Sequence, residues 1–137
     1  MQTLPEKTLA AIGRMTVAAT ELEYLLAWIG ADRAGGDAAA VFAVPGEPLR
    51  AARGSVEFAA PAQRADFITY VEAVGTQLAL SQAALRRLWQ DDTVPDPARF
   101  DEIAARLLRV RDGLQSLVEE QLNTDRVAQP VARHGRS

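Results

Sequence analysis

Residues 61–90 read PAQRADFITYVEAVGTQLALSQAALRRLWQ. Within this stretch Phe67, Val71, Val74, Leu78, Ser81, Leu85 and Leu88 recur in alternating steps of four and three. Such spacing puts every member on one side of an α-helix and leaves no strand-like alternation. Pro61 supplies a helix start, since its missing N–H falls where a first turn has no partner for one. At 1.5 Å per residue the predicted rod is about 45 Å long. Its one polar seam member is Ser81.

The same pattern appears on both sides of it. Upstream, Leu9, Ile12, Met15, Ala19, Leu22, Leu26 and Ile29 form a stripe that predicts a helix over about 4–30. Thr3 and Glu6 have capping-box spacing with Pro5 in the first turn, and Gly30 is the expected C-cap. Downstream, Phe100, Ile103, Leu107, Val110, Leu114 and Leu117 predict a helix with Asp96 as N-cap and Pro97 as its first residue, ending near Leu122. Between the first two rods, Gly35-Gly36 and Pro45-Gly46-Glu47-Pro48 are turn signals. Asp37 is placed to cap a short helix from Ala38 to Ala43, with Val41 and Phe42 facing inward. Pro48 opens another to about Ser55, and Val56-Glu57-Phe58 is too short to make a sheet.

The expected fold is therefore all-α: a helical bundle of three long helices plus one or two short ones. Residues 1–123 form the single bundle domain and 124–137 a flexible tail without apolar period. A chain of 137 residues buries roughly two-thirds of its unfolded surface, enough for a core without staples. Three long seams must close on one another, with a second copy of the chain as a further way to cover them. Gly13, Gly75 and Gly113 interrupt long helices at a cost of about 1 kcal/mol each, and the expected reason is close helix crossing.

Composition excludes several chemistries. Cysteine is absent, which removes disulfides, thiolate ligands and Cys nucleophiles. The one histidine, His134, lies in the tail. The carboxylates of Glu21/Glu23, Asp91/Asp92, Asp101/Glu102 and Glu119/Glu120 lie close in sequence but point to different sides of a helix, so they do not chelate as pairs. No Walker, dinucleotide or Gly-x-Ser-x-Gly pattern occurs. The expectation is no catalytic residue set, no metal and no cofactor. The net charge is −3; Arg126, Arg133 and Arg136 against Asp125 give the tail +2, so the body carries about −5. That argues against broad nucleic-acid backbone binding. Only Lys7 among the basic residues is not arginine, which reads as the codon bias of a GC-rich bacterial genome. Residues 1–7 lack a basic signal opening and no apolar run is long enough to span a bilayer, so a cytoplasmic chain without membrane contact is expected.

The segment Gln77–Trp89, Q-L-A-L-S-Q-A-A-L-R-R-L-W, resembles the last core helix of HEPN-type all-α proteins. There an Arg-Asn/Asp-x-x-x-His motif sits among leucines, in a common bacterial form R-N-x-x-V-H-S-x-W. Ser81 falls at the family Arg, Gln82 at the Asn, Arg86 at the His and Trp89 at the closing Trp. The run Glu21-Leu22-Glu23-Tyr24-Leu25-Leu26 is similar to the family's first long helix, and Gly46-Glu47-Pro48-Leu49 to its Gly-x-x-Leu segment. The likeness spans about residues 8 to 90. It implies an RNA-cleaving scaffold, usually dimeric, in which the Arg and His act on the RNA backbone. Here both are replaced, and an arginine at position 86 stays protonated and cannot act as a base. The resemblance thus implies a degenerate site of Ser81, Gln82 and Arg86 on a retained scaffold.

The reading that follows is a non-catalytic bundle acting through protein–protein contacts as a homodimer. Trp28, Leu88 and Trp89 are its candidate interface residues, because Trp is enriched where interfaces bury their anchors. One alternative is an RNA-binding protein or ribonuclease with a site rebuilt around Gln82, Arg86 and Arg87. Another is a small-molecule or peptide binder that uses a pocket between helices.

Overall fold

The computed structural model describes residues 3–90 and 92–134; the side chains of 33, 34 and 123–134 are outside the description. Helix α1 spans Glu6–Ala34, α2 Ala38–Phe42, α3 Glu47–Ser55, α4 Pro61–Gln90 and α5 Pro97–His134, with a 3-10 turn at Val56–Phe58 before α4. Among the described residues there is no strand. This is the all-α bundle that the three seams require. α5 packs along both α1 and α4, while α1 and α4 touch each other far less; α3 packs mainly on α1 and reaches across to α4.

Both seams of the second half face the core. Phe67, Val71, Val74, Leu78, Ser81 and Leu88 are buried on α4, with Leu85 half-buried. On α5, Phe100, Ile103, Leu107, Leu114 and Leu117 are buried and Val110 is half-buried. α5 starts as its residues dictate: the Asp96 carboxylate accepts the Ala98 N–H at 3.0 Å, which satisfies one of the donors a helix leaves open. Asp37 does the same for α2 through the Ala39 N–H at 3.0 Å.

The first helix departs from its sequence reading at both ends. Its N-cap is Pro5, in extended conformation and without a side-chain cap; Thr3 sits two residues too early for its hydroxyl to reach, so no capping box forms. Its C-cap is Gly35, in the left-handed conformation at φ 73°. The backbone N–H groups of Gly35 and Gly36 both donate to the Ala31 carbonyl, the latter at 2.7 Å. Left-handed backbone favours glycine, and Gly35 meets that need five residues beyond Gly30. Gly30 serves another purpose. A Cβ there would lie 2.5 Å from the Ala51 Cβ and 2.8 Å from the Ala51 carbonyl carbon, so its lack of a side chain is what lets α3 lie on α1.

The core stripe of α1 follows the expected one from Met15 to Ile29 and departs from it in the first turns. Thr8, Ala11, Met15, Ala18, Ala19, Leu22, Leu26 and Ile29 are buried, whereas Leu9 is 53% exposed. Thr8 and Ala11 take the inward places of the first turns, and Leu9 is left on the opposite side. Val41 and Phe42 are only half-buried. Helix α2 stops at Phe42, and α3 starts at Glu47 behind Gly46, which is left-handed at φ 82°. α5 continues beyond Leu122 as helix; the flexible tail expected over 124–137 lies outside the residues whose side chains are described.

Of the three helix-interrupting glycines, two are crossings. A Cβ at Gly113 would overlap the Tyr70 ring of α4, and one at Gly75 would press on Leu49 at 3.1 Å. Gly13 meets nothing within 4 Å. The connection into α4 is tied to α5 by Gln121, a buried side chain whose Oε1 accepts the Ala60 N–H at 3.0 Å. Arg14–Asp101 at 2.9 Å and Arg111–Glu21 at 2.6 Å clip α1 to α5, and Arg53–Glu72 at 2.8 Å clips α3 to α4. No helix among the described residues is long and apolar enough to cross a membrane.

Gly30→Ala should cost about 1–3 kcal/mol of stability in urea denaturation, the range of an overpacked core. Gly54→Ala, in a helix with open space around the new Cβ, should gain up to about 1 kcal/mol from helix propensity alone. Equal effects at the two positions would remove the α1–α3 approach from the account.

Candidate functional site

Ser81, Gln82 and Arg86 are adjacent on α4 but do not converge. Ser81 is 3% exposed, and its hydroxyl donates to the Leu78 carbonyl of its own helix at 2.7 Å. That bond satisfies the donor inside the core and explains how one serine sits in a leucine seam. Gln82 and Arg86, one turn apart, are exposed. Arg87 points elsewhere again, lining a groove toward α5 with Arg99 and Phe100. Arg87 thus lines a different hollow from the exposed face that Gln82 and Arg86 share. Among the described residues no three His, Cys, Asp or Glu side chains group as a metal site.

The candidate interface residues are separated too. Trp28 lies where α1, the start of α4 and the far part of α5 meet. It closes, with Phe67 and Val118, a cavity of about 20 Å³ that has room for one water. Trp89, 69% exposed, sits at the other end of α4. Leu88 is 8% exposed and belongs to the chain's own core. Trp28 and Trp89 thus mark opposite ends of the bundle.

The surface that the sequence reading missed is the outward side of α1. Leu9, Ala10, Gly13, Thr16, Val17, Thr20 and Tyr24 are all exposed, and at helical spacing they share one stripe opposite the buried one. None of them is charged. Leu9, Val17 and Tyr24 are 53%, 59% and 47% exposed. Thr20 turns its hydroxyl onto the Thr16 carbonyl at 2.8 Å, so its polar atom is spent within the helix. Of the charges at its edges, Arg14 and Glu21 are held by Asp101 and Arg111 of α5. Toward the helix's end the Tyr24 ring meets Phe42 edge-on, with centroids 5.4 Å apart. The two rings, with Thr16, Val17, Thr20 and Glu21, line a shallow hollow of about 450 Å³. A continuous uncharged stripe, apolar at both ends, is unusual on a surface helix whose core face is already satisfied.

Glu23, on the neighbouring flank of α1, is half-buried, and burial pushes its carboxyl pKa up. The Asp101 and Glu72 carboxyls go the other way, held down by the hydrogen bonds from Arg14 and Arg53. No family model matches this chain, and no curated protein or solved structure matches it either.

Two expectations follow. Because the folded chain holds the Glu23 proton more tightly than the unfolded one, folding loses stability as pH rises through the carboxylate range. Glu23→Gln should therefore raise Tm at neutral pH, and the gain should shrink as pH falls below the ordinary value of 4.5. A gain constant with pH would assign the effect to something other than this carboxyl. Ser81→Ala, which removes only a bond within one helix, should cost less than about 1 kcal/mol in the same unfolding assay.

Proposed function

We propose that this chain is a non-catalytic helical-bundle protein that works through protein–protein contacts, as a homodimer formed on the outward stripe of α1. The observation that carries the reading is the uncharged run from Leu9 to Tyr24 with Gly13 at its near end. Gly13 weakens the helix, and among the described residues nothing lies within 4 Å of where a Cβ would stand. A second helix laid across it has a use for that space.

The stripe is complementary to itself. An antiparallel two-fold crossing centred between Thr16 and Val17 sets Leu9 of each copy into the Tyr24–Phe42 hollow of the other. The same crossing sets Gly13 of each copy against Thr20. Large meets hollow and small meets small, which is the condition for an isologous contact. The stripe covers about 24 Å of helix, so the dimer belongs to the small class of specific interfaces, about 1,200 Å² in total, with dissociation expected in the micromolar range. What supports the HEPN-like reading of the scaffold is the order of a long helix, short helices and a second long helix, with Gly46-Glu47-Pro48-Leu49 at the head of α3. On that scaffold the Arg and His positions are Ser81 and Arg86.

Light scattering coupled to size-exclusion chromatography tests the dimer. The parent chain should run at twice its monomer mass at tens of micromolar. Val17→Glu, a substitution at an exposed position, should bring it to monomer mass with an unchanged helical circular dichroism signal. A parent that stays monomeric overturns the reading, as does a dimer indifferent to Val17→Glu.

A further inference from the structure

Where the last turns of α4 face the first turns of α5, two hollows of about 200 and 400 Å³ share Ala84, Arg87 and Arg99 in their walls and so make one trough. Its floor is apolar. Leu88 and Phe100 lie at one end, Leu80 and Ile103 at the other, and Leu80 is 42% exposed there. Its rim is cationic: Arg87 from α4, with Arg99 and Arg106 two turns apart on α5.

These arginines differ from those that hold the bundle together. Arg14, Arg53 and Arg111 each have a carboxylate on another helix at 2.6–2.9 Å. Among the described residues, none lies within 4 Å of Arg87, Arg99 or Arg106. Two acids do line the trough. The Asp96 carboxylate caps α5 through the Ala98 N–H, and Glu102 stands on α5 between Arg99 and Arg106 without pairing with either. Three guanidinium groups without a carboxylate partner among the described residues, around an apolar floor whose exposed member is Leu80, on a body of net negative charge, form a local site that the fold itself does not consume. A guanidinium presents paired N–H donors in a fork that fits the oxygens of a carboxylate, phosphate or sulfonate. The floor adds burial for an aliphatic or aromatic group.

We propose that this trough binds a small amphiphilic anion, a single carboxylate, phosphate or sulfonate head carried on an apolar body. The head lies among Arg87, Arg99 and Arg106, and the body lies on Leu80, Ala84 and Ile103. A nucleic acid is a poorer fit: it calls for a basic track and aromatic stacking surfaces, and no aromatic ring but Phe100, which is 1% exposed, lines the trough. The site is on different helices from the α1 stripe and stands or falls separately from the dimer.

Anilinonaphthalene sulfonate, an aryl sulfonate that fluoresces when its body leaves water, is the probe for the full-length chain. Titration should show one saturable site with micromolar dissociation. The pair Arg99→Ala with Arg106→Ala should weaken it by about tenfold or more, the loss of at least one charge-assisted contact. Arg87→Ala, on the other helix, should weaken it independently. The control pair Arg86→Ala with Arg109→Ala removes the same charge elsewhere and should leave binding within about twofold, less than about a third of the free energy of a tenfold loss. Phenylnaphthylamine, the same body without the sulfonate, should bind far more weakly. Equal losses in both pairs, no loss in either, equal affinity for the neutral body, or displacement of the dye by a short single-stranded RNA would each overturn the proposal.

Discussion

The fold depends on the apolar face of α5 being shared. Phe100, Ile103, Leu107, Leu114 and Leu117 are removed from water by α1 on one side and α4 on the other. Because α1 and α4 make little contact with each other, neither would keep its place if α5 withdrew. Burial of this stripe is the largest favourable contribution, and it is non-directional. Register has to come from elsewhere. Arg14–Asp101 and Arg111–Glu21 sit at the rim of the α1–α5 contact. As exposed pairs they add little stability, but they prefer one axial setting of the two helices over its neighbours. Gln121 adds a buried bond that fixes where α4 begins relative to α5.

The space between α1 and α4 is taken by α3, and it is glycine that makes room. Gly30 admits Ala51, and Gly75 admits Leu49. At Gly30 the backbone lies closer to α3 than a side chain allows, at Gly75 a side chain would crowd Leu49, and both trade helix propensity for packing. Gly113 plays the same part toward Tyr70. Gly13 is different: it gives up propensity and gains no contact within the chain, which is why the surface around it is the natural place to look for a partner helix.

Among the described residues, two of the surfaces that internal packing does not explain carry the proposals. One is uncharged and lies along α1; the other is a cationic trough with an apolar floor between α4 and α5. They suggest different kinds of occupant because their chemistry differs: an uncharged helix face suits another protein surface, while a concave site with arginines unpaired among the described residues suits a compact anion. The segment where sequence resemblance pointed, Ser81 to Arg86, has neither property. Its serine is satisfied inside the core, and its arginine is one more exposed cation.

The positions of α1, α4 and α5 were legible in the sequence, as were the Asp37 and Asp96 caps, because they rest on relations within a few residues: apolar spacing, a proline at a first turn, a side-chain oxygen two residues before an N–H. The buried seams of α4 and α5 followed for the same reason, since a strict alternation of threes and fours allows one inward face. For α1 it allowed two. Leu9 and Thr8 compete for the inner side of the first turns, and the packing of the bundle gave it to Thr8 and Ala11. That choice, the use of Gly30 as a gap rather than a cap, and the meeting of Arg87 with Arg99 and Arg106 are all contacts between residues far apart in the chain. A periodic pattern fixes which residues share a helix face; only the packed neighbours decide whether that face is covered, and by what.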